Sequence, residues 1–120
     1  MTLETNARNA AVNAVAALLN SGTMEFQTAG SNEVATATFG ATAFGASSSG
    51  TAAANAITSD TDATGGTIAK CVLKTSGGVA VLTATCSLVA GGGDLELTSL
   101  VIGAGDTVAV SSLTLTQPAS

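Results

Sequence analysis

TIAKCVLKTSGGVAVLTATC, residues 67–86, is the stretch whose reading decides the fold. Two apolar, β-branched runs flank Thr75-Ser76-Gly77-Gly78, a strong turn signal, so the segment reads as a β-hairpin. In 67–74, Ala69, Cys71 and Leu73 fall on one face, and Ile68, Lys70, Val72 and Lys74 on the other. Residues 79–86 return with Ala80, Leu82, Ala84 and Cys86 on the face of Cys71, so the lysines mark the opposite face as solvent or interface. With Ser76-Gly77 at the tip, facing residue numbers sum to 153, which sets Cys71 against Leu82 and four residues from Cys86. At roughly 3.3 Å per residue the two are ~13 Å apart along the strand, beyond the roughly 7 Å Cα limit of a disulfide. Cys71 and Cys86 are therefore expected to be buried free thiols, acting as small hydrophobes, with no disulfide.

Toward the N-terminus the period changes. Residues 5–20 read as a helix, with Ala7, Ala10, Ala11, Ala14, Val15, Leu18 and Leu19 as an apolar stripe. Thr5 is the expected N-cap and Asn20-Ser21-Gly22 the stop. This helix either covers a face of its own sheet or serves as an arm docking on another subunit. Met24 and Phe26 alternate with polar residues in a short strand, and VATATF (34–39) alternates again with Ala35, Ala37 and Phe39 on one side. Residues 40–50 read as loop, 51–57 as strand, and Thr58–Gly66 as turn chemistry. Beyond the hairpin, Gly91-Gly92-Gly93 interrupts the chain and Asp94-Leu95-Glu96-Leu97 restarts it. Leu100 and Ile102 precede a Gly103–Asp106 turn. The last strand, 107–116, slips phase across Ser111-Ser112 as a β-bulge would, and Pro118 ends it. The expectation is a single all-β domain over 1–120 with one N-terminal helix, a β-sandwich or jelly-roll-like fold of six to eight strands over 23–118.

Composition narrows the function. The 120 residues include no His, Trp or Tyr, 9% charged residues and a net charge of −5, with Arg8, Lys70 and Lys74 the only cations. No basic stripe or aromatic platform supports nucleic-acid binding. The first residues lack the apolar core of a signal peptide, and no run of 18 apolar residues suggests a membrane span, so neither nucleic acid nor membrane is an expected partner. The protein is expected to be made and kept in a cytosol, or released from one by lysis. Phe26, Phe39 and Phe44 are the only aromatics, so the core must be built from small side chains.

Several constellations invite chemistry. Asp60 and Asp62 in SDTDATGG have the spacing of an acidic calcium loop, but no distal bidentate Glu follows, and the stretch reads as a solvated turn. Gly91-Gly92-Gly93 lacks the Lys-Ser/Thr and helix of a phosphate loop. A Ser or Cys nucleophile would need Lys70, Lys74 or a carboxylate as its base, and the lysines sit on an ordinary outer face. No catalytic, cofactor or metal residues are assigned, no enzyme activity is expected, and the sequence singles out no interface residues.

NAITSDTDATGGTIAKCVLK (55–74) and DLELTSLVIGAGDTVAVSSLTLTQPA (94–119) together resemble small structural proteins of tailed bacteriophages. That pattern has an "ARNAA" helix, an "AITSDT" tract, a central hairpin and a "DL-L-S--I-AG-TV-V-S-T-T-P" ending. Ala7–Ala11, Asn55–Thr61 and Asp94–Pro118 supply three of these pieces. The chain departs from the pattern at Ile68, Ala69 and Cys71, where aromatic residues are usual, and in a shortened segment after Gly30. The resemblance implies a capsid decoration (cement) protein on the virion surface, with the major capsid protein and copies of itself as partners. A tail, fibre or receptor-binding module is the alternative it implies.

Overall fold

The hairpin forms, but in a different register. In a computed structural model, which describes residues 1–88, 91, 95–97, 99–110 and 113–117, the chain has one helix and ten strand segments among the described residues. They are α1 (Thr5–Leu18), β1 (Thr23–Gln27), β2 (Glu33–Phe39), β3 (Thr51–Ala53), β4 (Ile57–Thr58), β5 (Gly66–Thr67), β6 (Lys70–Lys74), β7 (Ala80–Leu88), β8 (Leu95–Leu97), β9 (Val101–Ile102) and β10 (Thr114–Thr116). Thr75 N donates to Val79 O (2.9 Å) and Gly78 N to Thr75 O (2.9 Å), so the tip between β6 and β7 is Ser76-Gly77-Gly78. Gly78 takes the left-handed conformation (φ +85°) that a three-residue loop of this kind requires. A bulge then inserts Val81 between the partners of Lys74 and Leu73. Each extra residue moves the register by one, so Cys71 faces Ala84 and Leu73 faces Leu82. Two shifts preserve the parity, and Cys71, Leu73, Leu82 and Ala84 share a face as expected. Ala80, beyond the bulge, faces Lys74 instead.

Two expected strands are each split, which is why ten short segments replace six to eight. Residues 51–58 break at Asn55, whose N–H donates to Ala43 O and whose Nδ2 donates to Thr42 O. Residues 66–74 break at Ile68-Ala69, where Ile68 N turns to Leu100 O and Ala69 N to Gln27 O. That break reverses the local phase: Ile68, expected outside, is buried, and Ala69, expected inside, is exposed. Ser111-Ser112, Gly92-Gly93, Asp94 and Pro118 lie outside the described residues.

The strands form a five-stranded antiparallel sheet in the order β4-β2-β1-β6-β7, with β8 added parallel to the end of β7. Two ribbons, β3/β10 and β5/β9, accompany it. The alternation of side chains puts Met24, Phe26, Ala35, Ala37, Phe39, Cys71 and Leu73 on the core face, all buried. Phe26, fully buried, is flanked by Ala35 on one neighbour strand and Cys71 on the other. Large against small lets the few big side chains interdigitate without voids. Phe39 meets Phe44 from the following loop, ring centroids 5.7 Å apart.

The helix is present, rotated from the expected stripe. Val12, Ala16 and Leu19 are buried, whereas Ala7, Ala10, Ala14 and Leu18 are exposed. Thr5 is the first helical residue rather than the N-cap; Glu4 takes that place without a side-chain cap. What orients the helix is polar. Arg8 Nε donates to Gln117 O (2.9 Å), Asn9 Oδ1 accepts from Gly50 N (2.8 Å) and Asn20 Oδ1 accepts from Ala43 N (2.8 Å). These bonds place α1 against β3 and β10 of its own chain, so it covers its own core.

Ser21 ends the helix in the left-handed conformation (φ 58°), and Gly22 passes so close to β6 that a Cβ there would lie 2.1 Å from Lys74 O and 2.9 Å from Leu19 O. Two backbones meet at that point and neither can yield. Gly78, by contrast, has open space around it, so alanine there bears only the left-handed cost of about 1–2 kcal/mol. Gly22→Ala is expected to lose about 3 kcal/mol or more and Gly78→Ala about half that or less. Urea unfolding of both variants checks this, and equal midpoints would contradict it.

Candidate functional site

The acidic turn is built inward. Asp60 Oδ2 accepts from Thr36 N (2.8 Å) and Oδ1 from Asp62 N (2.9 Å), while its backbone pairs both ways with Val108. Asp60 thus ties β2 to the turn and the turn to the chain after β9. Nearby, Glu33 accepts from Thr64 Oγ1 (2.6 Å) and Thr36 Oγ1 (2.9 Å). Asp106 Oδ2 accepts from Gly103 N (2.8 Å). These carboxylates satisfy backbone and hydroxyl donors of their own corner. Among the described residues no three His, Cys, Asp or Glu side chains are grouped to hold a metal ion.

The second cluster lies on the polar face of the sheet, where Glu25, Gln27, Lys70, Val72 and Lys74 share a side. Lys74 Nζ meets Glu25 Oε1 at 3.1 Å, Gln27 Nε2 donates to Glu25 Oε2, and Lys70 Nζ donates to Ser31 Oγ (2.7 Å). Val72, between the lysines, is buried to 8% exposure although it was expected outside. The Gln27 amide, and after it Lys74, holds the Glu25 carboxyl below its ordinary value of 4.5, against the opposing effect of burial. A depressed folded-state pKa means that the unfolded chain takes up the proton first. The contribution of Glu25 to stability is therefore fully present above pH 4.5 and lost as pH falls through the folded value.

On the core face, the corrected register sets Cys86 diagonally to Cys71, two residues along rather than four. Strand geometry makes that about 7–8 Å, still long for a disulfide, and both residues carry thiols. Burial, then the neighbouring Cys86 and Glu25, raises the Cys71 thiol well above its ordinary range, which disfavours the thiolate form. Gly91 closes a turn on Leu88 O; Gly92 and Gly93 lie outside the described residues.

A groove of about 330 Å³ lies between β7 and β10, lined by Leu73, Leu82, Thr83, Ala84 and the stretch from Leu113 to Thr116. None of these side chains is charged. Sequence reasoning missed this groove and the anchors Arg8, Asn9 and Asn20; Asn9 and Asn20 carried no signal beyond helix and cap propensity. No helix among the described residues is long and apolar enough to cross a membrane.

Glu25→Gln is expected to lower the urea midpoint above pH 4.5. The gap from the unsubstituted protein should close as pH falls below 4.5, read from unfolding curves at stepped pH. A gap independent of pH would contradict the assignment.

Comparison with known proteins finds no matching family model, no matching curated protein and no matching solved structure.

Proposed function

We propose that this chain is a non-enzymatic capsid decoration protein of a tailed phage, seated on the outside of the head and bridging major capsid subunits. One observation carries the reading: the first and second tracts of the phage-protein resemblance each touch the last. Arg8 in the first tract bonds Gln117 in the last (2.9 Å), and Asp60 in the second pairs with Val108 in the last (3.0 and 2.7 Å). Arg8, Asp60 and Val108 stand at positions that carry the resemblance, and Gln117 joins them through its backbone oxygen. A resemblance in tie points is a resemblance in architecture, and it favours a β-sandwich in which the β3/β10 and β5/β9 ribbons form the second layer. The surface chemistry suits the role. Weakly charged Thr, Ser and Ala surfaces lose water at little cost, and many identical copies on a symmetric lattice multiply weak contacts through avidity. The partners in this reading are the major capsid protein and neighbouring copies, and the location is the virion surface.

Cryo-electron microscopy of purified particles, counting this chain against the major capsid protein, tests the reading. Hundreds of ordered copies on the outer shell are expected. A handful confined to the tail or portal vertex would overturn it in favour of a tail or fibre module.

A further inference from the structure

The hydrogen bond from Phe39 N to Gly22 O (2.9 Å) fixes which way every residue of the main sheet points its backbone. Antiparallel ladders alternate between residues that bond one neighbour and residues that bond the other. With Gly22 and Phe39 bonded, Met24 and Phe26 bond β2, while Thr23, Glu25 and Gln27 bond β6. On β6, Cys71 and Leu73 are then left to bond Ala84 and Leu82 of β7. Thr83 therefore turns its N–H and C=O away from β6. The same reasoning applies to β10. Ala54 N donates to Leu113 O and Gln117 N to Gly50 O (2.8 Å each), so Leu113, Leu115 and Gln117 face β3, while Thr114 and Thr116 turn their backbone groups away from it. Among the described residues, none of these outward groups on Thr83, Thr114 or Thr116 has a backbone partner. All three residues line the groove between β7 and β10.

We infer that this groove binds one extended, uncharged segment of a partner protein, held through its backbone as an added strand. Open strand edges are templates for such a strand, in which main-chain bonds supply affinity and alternate side chains supply selectivity. Leu73, Leu82, Ala84, Leu113 and Leu115 form an apolar lining for every second side chain, and threonines accompany them. Charge defines the occupant further. No charged residue lines the groove, so a Lys, Asp or Glu entering it would be stripped of water with no counter-ion to offset the loss. The occupant is therefore uncharged, with small or β-branched side chains. It comes from another protein rather than a second copy. Two copies each carrying −5 repel, which favours a segment of another protein over a second copy in this groove. The opposite edge of the sheet offers only the two residues of β4. The inference does not require the partner to be a capsid subunit.

The test titrates an N-acetylated, C-amidated hexapeptide, Ser-Val-Thr-Val-Ser-Ala, into isotope-labelled full-length protein while amide shifts and exchange are followed by NMR. Without peptide, the Thr83, Thr114 and Thr116 amides should exchange at least tenfold faster than those of Leu82 and Ala84. With peptide they should shift saturably and slow at least tenfold. The same peptide with Asp at its centre should bind at least tenfold more weakly. Thr83→Pro, which removes only an outward N–H, should weaken binding at least fivefold, and Thr114→Pro provides the same test from the other wall. Slow exchange before peptide is added, shifts centred elsewhere, no shift at millimolar peptide, or equal binding of the Asp peptide would each overturn the inference. Self-association through the groove would overturn it too, by making a second copy the occupant.

Discussion

Arg8 Nε donating to Gln117 O, with Asn9 accepting from Gly50 beside it, is the contact on which the placement of the helix against the β3/β10 ribbon depends. The helix has little apolar surface with which to hold its place: its buried side chains are Val12 and Ala16, joined by Leu19 at the C-cap. Burying one Val or Leu stabilises by about 1.5–3 kcal/mol. A hydrogen bond to a charged donor contributes about 1.5–3 and a neutral one about 0.5–1.5. The polar anchors are therefore as large as the apolar ones, and unlike them they have direction. Gly50 is part of the same device, since a Cβ on it would lie 2.7 Å from Arg8 Nε and 2.8 Å from Gln117 O. The helix, the turn before β3 and the end of β10 close on one another at that point.

This arrangement suits a chain with three phenylalanines and no larger side chain. Where apolar area is scarce, side chains bonded to distant backbone do much of the positioning. Asp60 reaches Thr36, Asn20 reaches Ala43 and Asn55 reaches Thr42. Each such bond joins residues 13 to 24 positions apart, loop to strand for Asp60 and loop to loop for Asn20 and Asn55. The polar face stays open, dressed by Glu25, Gln27, Lys70 and Lys74, and the groove beside β7 leaves strand edges unfilled.

What the sequence disclosed follows from the same physics. The faces of β1, β2 and the hairpin were legible because a two-residue period survives any even shift of register. The register itself was not, since Gly78 in a left-handed turn and the bulged Val81 each add a residue without a distinct signature. The face of α1 was illegible for another reason. Alanines at 7, 10, 11, 14, 16 and 17 fit a buried or an exposed stripe equally well, and the residues that chose the face, Arg8 and Asn9, are ones that an apolar-stripe argument places outside. Asp60 was legible as a turn former, but not its bond to Thr36, which lies 24 residues earlier. The groove left no trace in the residue pattern, because its distinguishing groups are backbone amides and carbonyls.

Hydrogen exchange on an Arg8→Met variant tests most directly whether the polar clasp joins the helix to the β3/β10 ribbon. The substitution keeps much of the aliphatic stem and removes the donor to Gln117. The account predicts that amides of α1, of Ala52 in β3 and of Leu115 in β10 lose protection together, while those of Phe26, Leu73 and Ala84 in the main sheet keep theirs. Loss confined to the first turn of α1, or an equal loss throughout the molecule, would contradict it.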